Sequence, residues 1–241
     1  MSEHVAVVGG GPAGLTAAIY TARAGLETTV YDAGEPILAR NAHLENVPGF
    51  PAGVNARTFL DATREQAADA GAQFVEAFVE DVSRADENDE FVVETDDRHR
   101  ERADYVLAAS WPDSSYLDGF ELERIDRGSK TMLSVDEFGR TDVDGIYAAG
   151  RLARQYHQAV VAAGHGATAG LTIVDDSDQP YYHDWVAPDG YFTGRGRELP
   201  PGCVEIDEDE RTERERESLE RLAELSPAEP PTQHPSVEDD D

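Results

Sequence analysis

The sequence predicts an α/β fold: a doubly wound domain with a C-terminal appendage. Three observations predict it. A Val-rich run at residues 4–8 passes at once into Gly9-Gly10-Gly11-Pro12-Ala13-Gly14, a GxGxxG. A helical pattern and a second strand follow, ending in Asp32, which lies 18 residues after Gly14. Short apolar runs then alternate with helical segments as far as residue 174, the pattern of a parallel sheet with crossover helices. Strand, Gly-rich turn, helix, strand and acid in that order make the domain Rossmann-like and of the FAD/NAD(P)-binding kind.

HVAVV at 4–8 reads as a buried parallel strand. LTAAIYTARAG places Leu15, Ala18, Ile19 and Ala22 on one face and stops at Gly25, a C-cap residue. Gly9 permits the tight turn, Gly11 lets the backbone approach a pyrophosphate, and Gly14 lets helix and strand pack closely. The free N–H groups at the helix start then face the phosphates. The carboxylate of Asp32, at the end of ETTVYD, can accept hydrogen bonds from ribose hydroxyls. This segment alone does not choose between FAD and NAD.

Residues 35–60 are punctuated by Gly and Pro, and FLDATREQAADAG forms an amphipathic helix ending at Gly71. AQFVEAFVEDV and EFVVETDD alternate like strands about a polar turn at 85–90, and ADYVLAAS is a further buried strand. Residues 111–130 read as irregular. A short strand at TMLSV, a turn at Phe138-Gly139, a strand at GIYAA and a small-residue helix, QAVVAAGHGATAGLTIV, complete the first domain, residues 1–174. Residues 175–226 hold an aromatic segment expected to dock on that domain, then a charged helix around Thr212–Leu225 with its Leu219/Leu222/Leu225 stripe inward. Residues 227–241 are expected to be a disordered acidic tail.

Composition narrows the function. Net charge is −30, and Lys130 is the only Lys among 20 basic residues. Residues 205–241 carry 15 acids against 4 bases, which still leaves −19 on the rest. Such a chain repels nucleic acid and anionic membranes. It would also repel itself unless salt screens the charges, as it does at molar ionic strength. This composition resembles that of halophilic archaeal proteins. No run of 18 apolar residues is present. With no basic leader segment, the expectation is a cytoplasmic protein. One Cys excludes a CxxC pair within the chain, and no His pair has metal-ligand spacing, so no metal is expected.

Three segments, VAVVGGGPAGLTAAIYTARAG, LENVPGFPAGV and GRTDVDGIYAAGRLARQYHQAVVAAGHGATAG, resemble the FAD-binding half of thioredoxin reductase-like flavoproteins, in the family's order. The resemblance covers roughly residues 4–174 and implies FAD as cofactor. It implies that Gly9, Gly11, Pro12, Ala13 and Gly14 hold the pyrophosphate, Asp32 the ribose, and the backbone at Val79 the adenine. Asn46 and Gly49 would lie along the flavin, and Gly150 and Arg151 would occupy the turn that touches the ribitol. Gln158 and Ala159 would offer backbone N–H groups to the flavin N1/C2=O edge, where a helix N-terminus stabilises negative charge.

The departures are specific. Only about 27 residues separate YVLAAS from FGRTDVDG, where the family inserts a nicotinamide-binding domain. Gly164-His165-Gly166 lies inside a helix and does not supply a second dinucleotide turn. Arg151 replaces the family's Asp, His157 its Arg, and Ala108-Ala109-Ser110 its Ala-Thr-Gly. An enzyme of this form, an FAD-dependent oxidoreductase, would be reduced by an external electron donor, a redox partner or the substrate itself; a homodimer is compatible with the reading. A non-catalytic or degenerate flavin-binding interaction protein, and an NAD(H)-binding protein, remain open. No catalytic residue is assigned. His157 and His43 are candidates for proton donors but read more simply as loop polar groups; His165 reads as structural. Cys203 and the aromatic group Tyr181, Tyr182, Trp185, Tyr191 and Phe192 read as packing residues.

Overall fold

The structure is a computed structural model and describes residues 2–85, 90–128, 130–181, 183–225, 229 and 231–237. The centre of the polar turn expected at 85–90 and parts of the tail after 227 lie outside them. The chain divides into two units, residues 1–178 with 233–241, and residues 179–232.

The first unit is built on a five-stranded parallel sheet. Its strands are β1 (His4–Val8), β2 (Glu27–Tyr31), β3 (Gln73–Val75), β7 (Tyr105–Ala108) and β10 (Ile146–Ala148), in the order β10-β7-β1-β2-β3. Helices α1 (Pro12–Arg23), α2 (Ala56–Asp69) and α3 (Ala159–Asp176) connect or follow these strands. All five residues of β1 are buried, as a central strand covered on both faces requires. Ala6 and Val8 join the main apolar cluster, whereas Val7 faces α1. The other face of the sheet is covered by an antiparallel sheet of β4 (Val79–Arg84), β5 (Phe91–Thr95) and β6 (Arg100–Ala103). Val82, Phe91, Val93 and Ala103 from that sheet pack into one core with Ala6, Tyr31, Val106 and Ile146.

Two strands lie where the sequence suggested none. β6 reads as polar because Arg100 and Arg102 pair across the sheet with Glu94 and Glu90 of its neighbourhood, so charge pairing replaces hydrophobic alternation. Within the region expected to be irregular, β8 (Arg124–Arg127) forms a hairpin with β9 (Lys130–Leu133), the strand expected at TMLSV. Its inward residue, Leu133, belongs to the main core.

The second unit holds β11 (Trp185–Pro188) and β12 (Cys203–Ile206), paired in parallel, and helix α4 (Glu208–Glu224). The aromatics cluster within this unit: Trp185 makes edge contacts with Tyr191 at 4.5 Å and Phe192 at 5.4 Å. Ala187, Phe192 and Cys203 form its buried centre; Tyr182 lies outside the described residues. The helix starts four residues earlier than expected, because Asp207 caps it by accepting from the Glu210 N–H at 2.8 Å. Its leucine stripe does not point inward: Leu219 and Leu222 are 68% and 56% exposed. Ion pairs along the helix, such as Arg214–Glu210 and Arg216–Glu220, support it in place of a buried face. Within the tail expected to be disordered, His234 is buried and pairs with Glu35.

Candidate functional site

The C-terminal ends of β1, β7 and β10 converge, and this is where parallel sheets of this kind bind ligands. Close approach is enforced by glycine at three points. Gly9 takes φ +116°, and a Cβ there would meet the Ala109 carbonyl carbon at 2.8 Å. A Cβ on Gly14 would lie 2.0 Å from the Gly9 carbonyl oxygen, so α1 can start this near β1 only with glycine. Gly150, at φ +67°, meets Ala13 in the same way. Gly9, Pro12, Ala13, Gly14 and Gly150 therefore share one locus.

Gly11 differs. A Cβ there would meet nothing nearer than Pro36 at 3.9 Å, so its face is open. Gly11 is also the N-cap of α1, with no side chain satisfying the first N–H groups, and Pro12 follows at the first turn. An open, uncapped helix start beside a Gly-rich turn suits a pyrophosphate.

Asp32 lies directly over this turn: a Cβ on Gly10 would collide with its carboxylate at 2.2 Å. A side chain at Gly10 would thus displace the Asp32 carboxylate, a constraint the motif spacing does not state. Arg64 Nη1 pairs with Asp32 Oδ2 at 2.7 Å, and its guanidinium sits 4.0 Å from the centroid of Phe74. Burial raises the Asp32 pKa from its ordinary value, while Arg64 opposes that rise. No sequence signal singled out Arg64; its partner lies 32 residues away, directly after β2. Val79 stands apart from this group, opening β4 opposite Thr95.

The second focus is a cleft of about 540 Å³ lined by Leu38, Asn41, His43, Asn46, His157, Gln158 and Ala159 among others. That size is within the roughly 300–1,000 Å³ of small-molecule sites. Asn46 Nδ2 donates to Gln158 Oε1 at 2.6 Å, joining residues 112 apart in the sequence. Gln158 is the N-cap of α3, again without a side-chain cap, so the N–H groups of the first turn are left for a ligand. Gly49, at φ +94°, is exposed and does not line the cleft. His43 lines it and approaches the Ala52 carbonyl at 3.1 Å.

The helix α3 crosses α1 at backbone contact. A Cβ on Gly166 would lie 2.0 Å from the Ala13 oxygen, and one on Gly170 would lie 2.9 Å from the Ala17 oxygen. The Gly164-His165-Gly166 segment is thus part of a helix crossing. His165 Nδ1 accepts the Gly150 N–H at 3.1 Å, and burial lowers its pKa, which keeps that acceptor free of a proton. His165 therefore braces the turn that follows β10. Arg151 stacks on Trp111, 4.4 Å from the ring centroid.

The pyridine nucleotide-disulphide oxidoreductase model matches residues 56–166, and an NAD(P)-binding Rossmann-like model matches residues 7–74. The chain is similar in sequence to thioredoxin reductases. It is 47% identical over 73 residues to thioredoxin reductase of Aquifex aeolicus, covering 30% of this chain and 23% of that protein. It is 35% identical over 114 residues to the Streptomyces coelicolor enzyme, covering 45% and 34%. The chain thus spans well under two thirds of these relatives' length. A thioredoxin reductase structure from Gloeobacter violaceus aligns with TM-score 0.61 at 18% identity, over 72% of this chain and 94% of that one, and establishes the shared fold. The thioredoxin reductase-like sequence and the two loci of the site lie in the same unit. Among the described residues no group of His, Cys, Asp and Glu is placed to hold a metal, and no helix is long and apolar enough to cross a membrane.

Proposed function

We propose that the chain is the FAD-binding part of an oxidoreductase that takes electrons from a separate donor or directly from its substrate. The observation that carries the reading is the pairing of two uncapped helix starts, at Gly11 and Gln158, with the Asn46–Gln158 bond that closes the cleft between distant segments. The residues present fit the group: Gly11 leaves an open face for a pyrophosphate, and Asp32 overlies the turn as a ribose acceptor. Bound flavin would supply electron exchange between donor and substrate.

The chain's own residues hold and bias that chemistry. The α1 start opposes phosphate charge with its N–H groups. The α3 start does the same for negative charge at the edge of the cleft, which favours a reduced state. Asn46 fixes the Gln158 side chain, leaving the backbone of that turn to the ligand. Thioredoxin reduction is not proposed for this chain by itself, because disulfide exchange of that kind needs two vicinal cysteines and the chain has one.

A second reading, a flavin-binding interaction protein without turnover, is favoured by the engagement of Asp32 with Arg64 and by Arg151 in place of a carboxylate. One experiment separates them. The chain is purified in molar KCl, mixed with FAD and desalted, then reduced anaerobically with a panel of donors. Retained flavin absorbance that bleaches with a donor supports the oxidoreductase. Retained flavin that no donor reduces supports the second reading, and a colourless protein overturns both. Gly11→Leu fills the open face and is expected to abolish uptake while the fold persists.

A further inference from the structure

In a chain of net charge −30, basic side chains are scarce. Arg64, Arg100, Arg102, Arg124 and Arg140 each pair with a carboxylate. Around Trp111 the arrangement is different. The Arg151 guanidinium lies 4.4 Å from the indole centroid and Lys130 Nζ lies 5.9 Å from it, both within cation–π range. The His157 ring is 6.5 Å away. Neither Arg151 nor Lys130 has a carboxylate within ion-pair distance among the described residues, and Arg151 Nε is buried with no hydrogen-bond partner. A buried, unpartnered guanidinium N–H costs free energy unless an acceptor arrives.

The indole is held in place for this. Ser110 Oγ bonds the Asp113 carbonyl and the Tyr116 hydroxyl, each at 2.7 Å, which fixes the turn that carries Trp111 off the end of β7. Arg151 follows the end of β10, Lys130 opens β9, and His157 precedes α3 and lines the cleft. Four separate segments therefore place three basic side chains on one ring, and His157 connects that ring to the cleft. Arg151 also depresses the His157 pKa, after burial, as expected of like charges brought together.

We propose that Arg151, Lys130 and His157, gathered on Trp111 at the margin of the cleft, form a subsite for an oxyanion, a phosphate or carboxylate group carried by the substrate or donor that the cleft serves. The assignment rests on the flavin reading only for what fills the rest of the cleft. Arg151 gives the directional hydrogen bonds, because a guanidinium matches a phosphate or carboxylate with two parallel donors. Lys130 adds charge, and Trp111 supplies an apolar wall that keeps water from competing.

The test uses the full chain carrying Trp185→Phe, which leaves Trp111 as the sole indole. Its emission is followed during titration with pyrophosphate and, separately, with malonate, in molar KCl at constant ionic strength. A saturable change with either anion is expected; pyrophosphate alone points to a phosphate-bearing donor, malonate alone to a carboxylate substrate. Arg151→Met should weaken binding by about tenfold or more, and Arg151→Lys should restore part of it. Lys130→Gln, on an exposed residue, should weaken it by about threefold. Absence of a saturable change with both anions overturns the subsite, as does a folded Arg151→Met that responds like its parent. If Arg151→Met does not fold, an unchanged Lys130→Gln response overturns it. Repeating the titration with FAD bound keeps the two readings separate. A yellow protein without an anion response loses the subsite alone, and a colourless protein with a saturable response loses the flavin alone.

Discussion

The starts of α1 and α3 within residues 1–178 and the loop and helix start within residues 179–232 satisfy their backbone donors in opposite ways. In the first, α1 and α3 begin at Gly11 and Gln158 with no side chain bonded to their first N–H groups, whereas α2, also in the first unit, is capped by Asn55, which accepts from the Arg57 N–H at 2.9 Å. In the second, donors are closed by carboxylates. Glu205 accepts the N–H groups of Gly190 and Thr193 at 3.1 and 3.0 Å, that of Phe192, and the Thr193 hydroxyl at 2.6 Å. Asp207 caps α4, whose first turn carries Glu208, Asp209 and Glu210 against the positive end of the helix. A helix start left open on a Gly-rich turn is available for a ligand; one closed by the chain's own acid is scaffold. The contrast separates binding from support without reference to any relative.

The largest effect is expected where the first region is denied its close approach. Gly166→Val puts a branched side chain where a Cβ already lies 2.0 Å from the Ala13 backbone oxygen. Backbone cannot yield as a flexible side chain does, so α3 must lift from α1, at a cost of at least about 3 kcal/mol. Urea unfolding at fixed KCl measures this. Gly34→Ala, where a Cβ would meet nothing within 4 Å, is the control and should be near neutral. A Gly166→Val protein as stable as its parent would mean that the helices do not cross at backbone contact.

How much of this the sequence discloses depends on how local each determinant is. The run from β1 through the Gly-rich turn to Asp32 is legible because turn, helix start and acid lie within 32 residues, and glycine spacing records backbone geometry directly. The small residues of α3 announce a tight contact but not its partner. Gly166 was legible only as a helical glycine, since its reason, the Ala13 oxygen, is 153 residues away. The Asn46–Gln158 bond and the Arg64–Asp32 pair are likewise products of topology. β6 escaped because charges carry its pairing, as in Arg100 with Glu94, and β8 because its four residues, Arg-Ile-Asp-Arg, hold one apolar side chain. The aromatic segment announced packing, and the structure shows much of it spent on Trp185, Tyr191 and Phe192 packing against one another.

A smaller, local effect is expected from opening the second region. Glu205→Gln keeps the shape but removes the charge from a carboxylate holding three backbone N–H groups. Amide exchange at Gly190, Phe192 and Thr193 should accelerate by about tenfold or more, while flavin uptake stays unchanged. The same contacts, led by the Thr193 hydroxyl, lower the Glu205 pKa to about 2. A depressed carboxylate stabilises the fold above its unfolded pKa, and that stability is lost as pH falls toward the folded value. Protection of these amides should therefore be full at neutral pH and fade between about pH 4 and pH 2. Protection that persists at the lower end would show that the loop is held by something other than this carboxylate.

The least effect is expected on the outer face of α4. Leu219 and Leu222 are mostly exposed, and the helix has no buried residue; its support comes from pairs such as Arg211–Glu208 and Arg216–Glu220. Replacing both leucines with Gln removes little contact within the chain and keeps good helix formers, so thermal stability should change by less than about 0.5 kcal/mol. The pairs are exposed and individually weak, so salt should matter more to this helix than the leucines do. Helicity of a peptide spanning residues 206–225 should fall as KCl is raised, in both the parent and the double variant. If the double Gln variant instead melts several degrees lower in the full chain, the leucines are covered by a surface outside this chain. Concentration dependence of the parent's melting temperature would identify that surface as a second copy. Leucines that stay indifferent in both measurements leave α4 a helix closed by its own charges, on the scaffold side of the comparison.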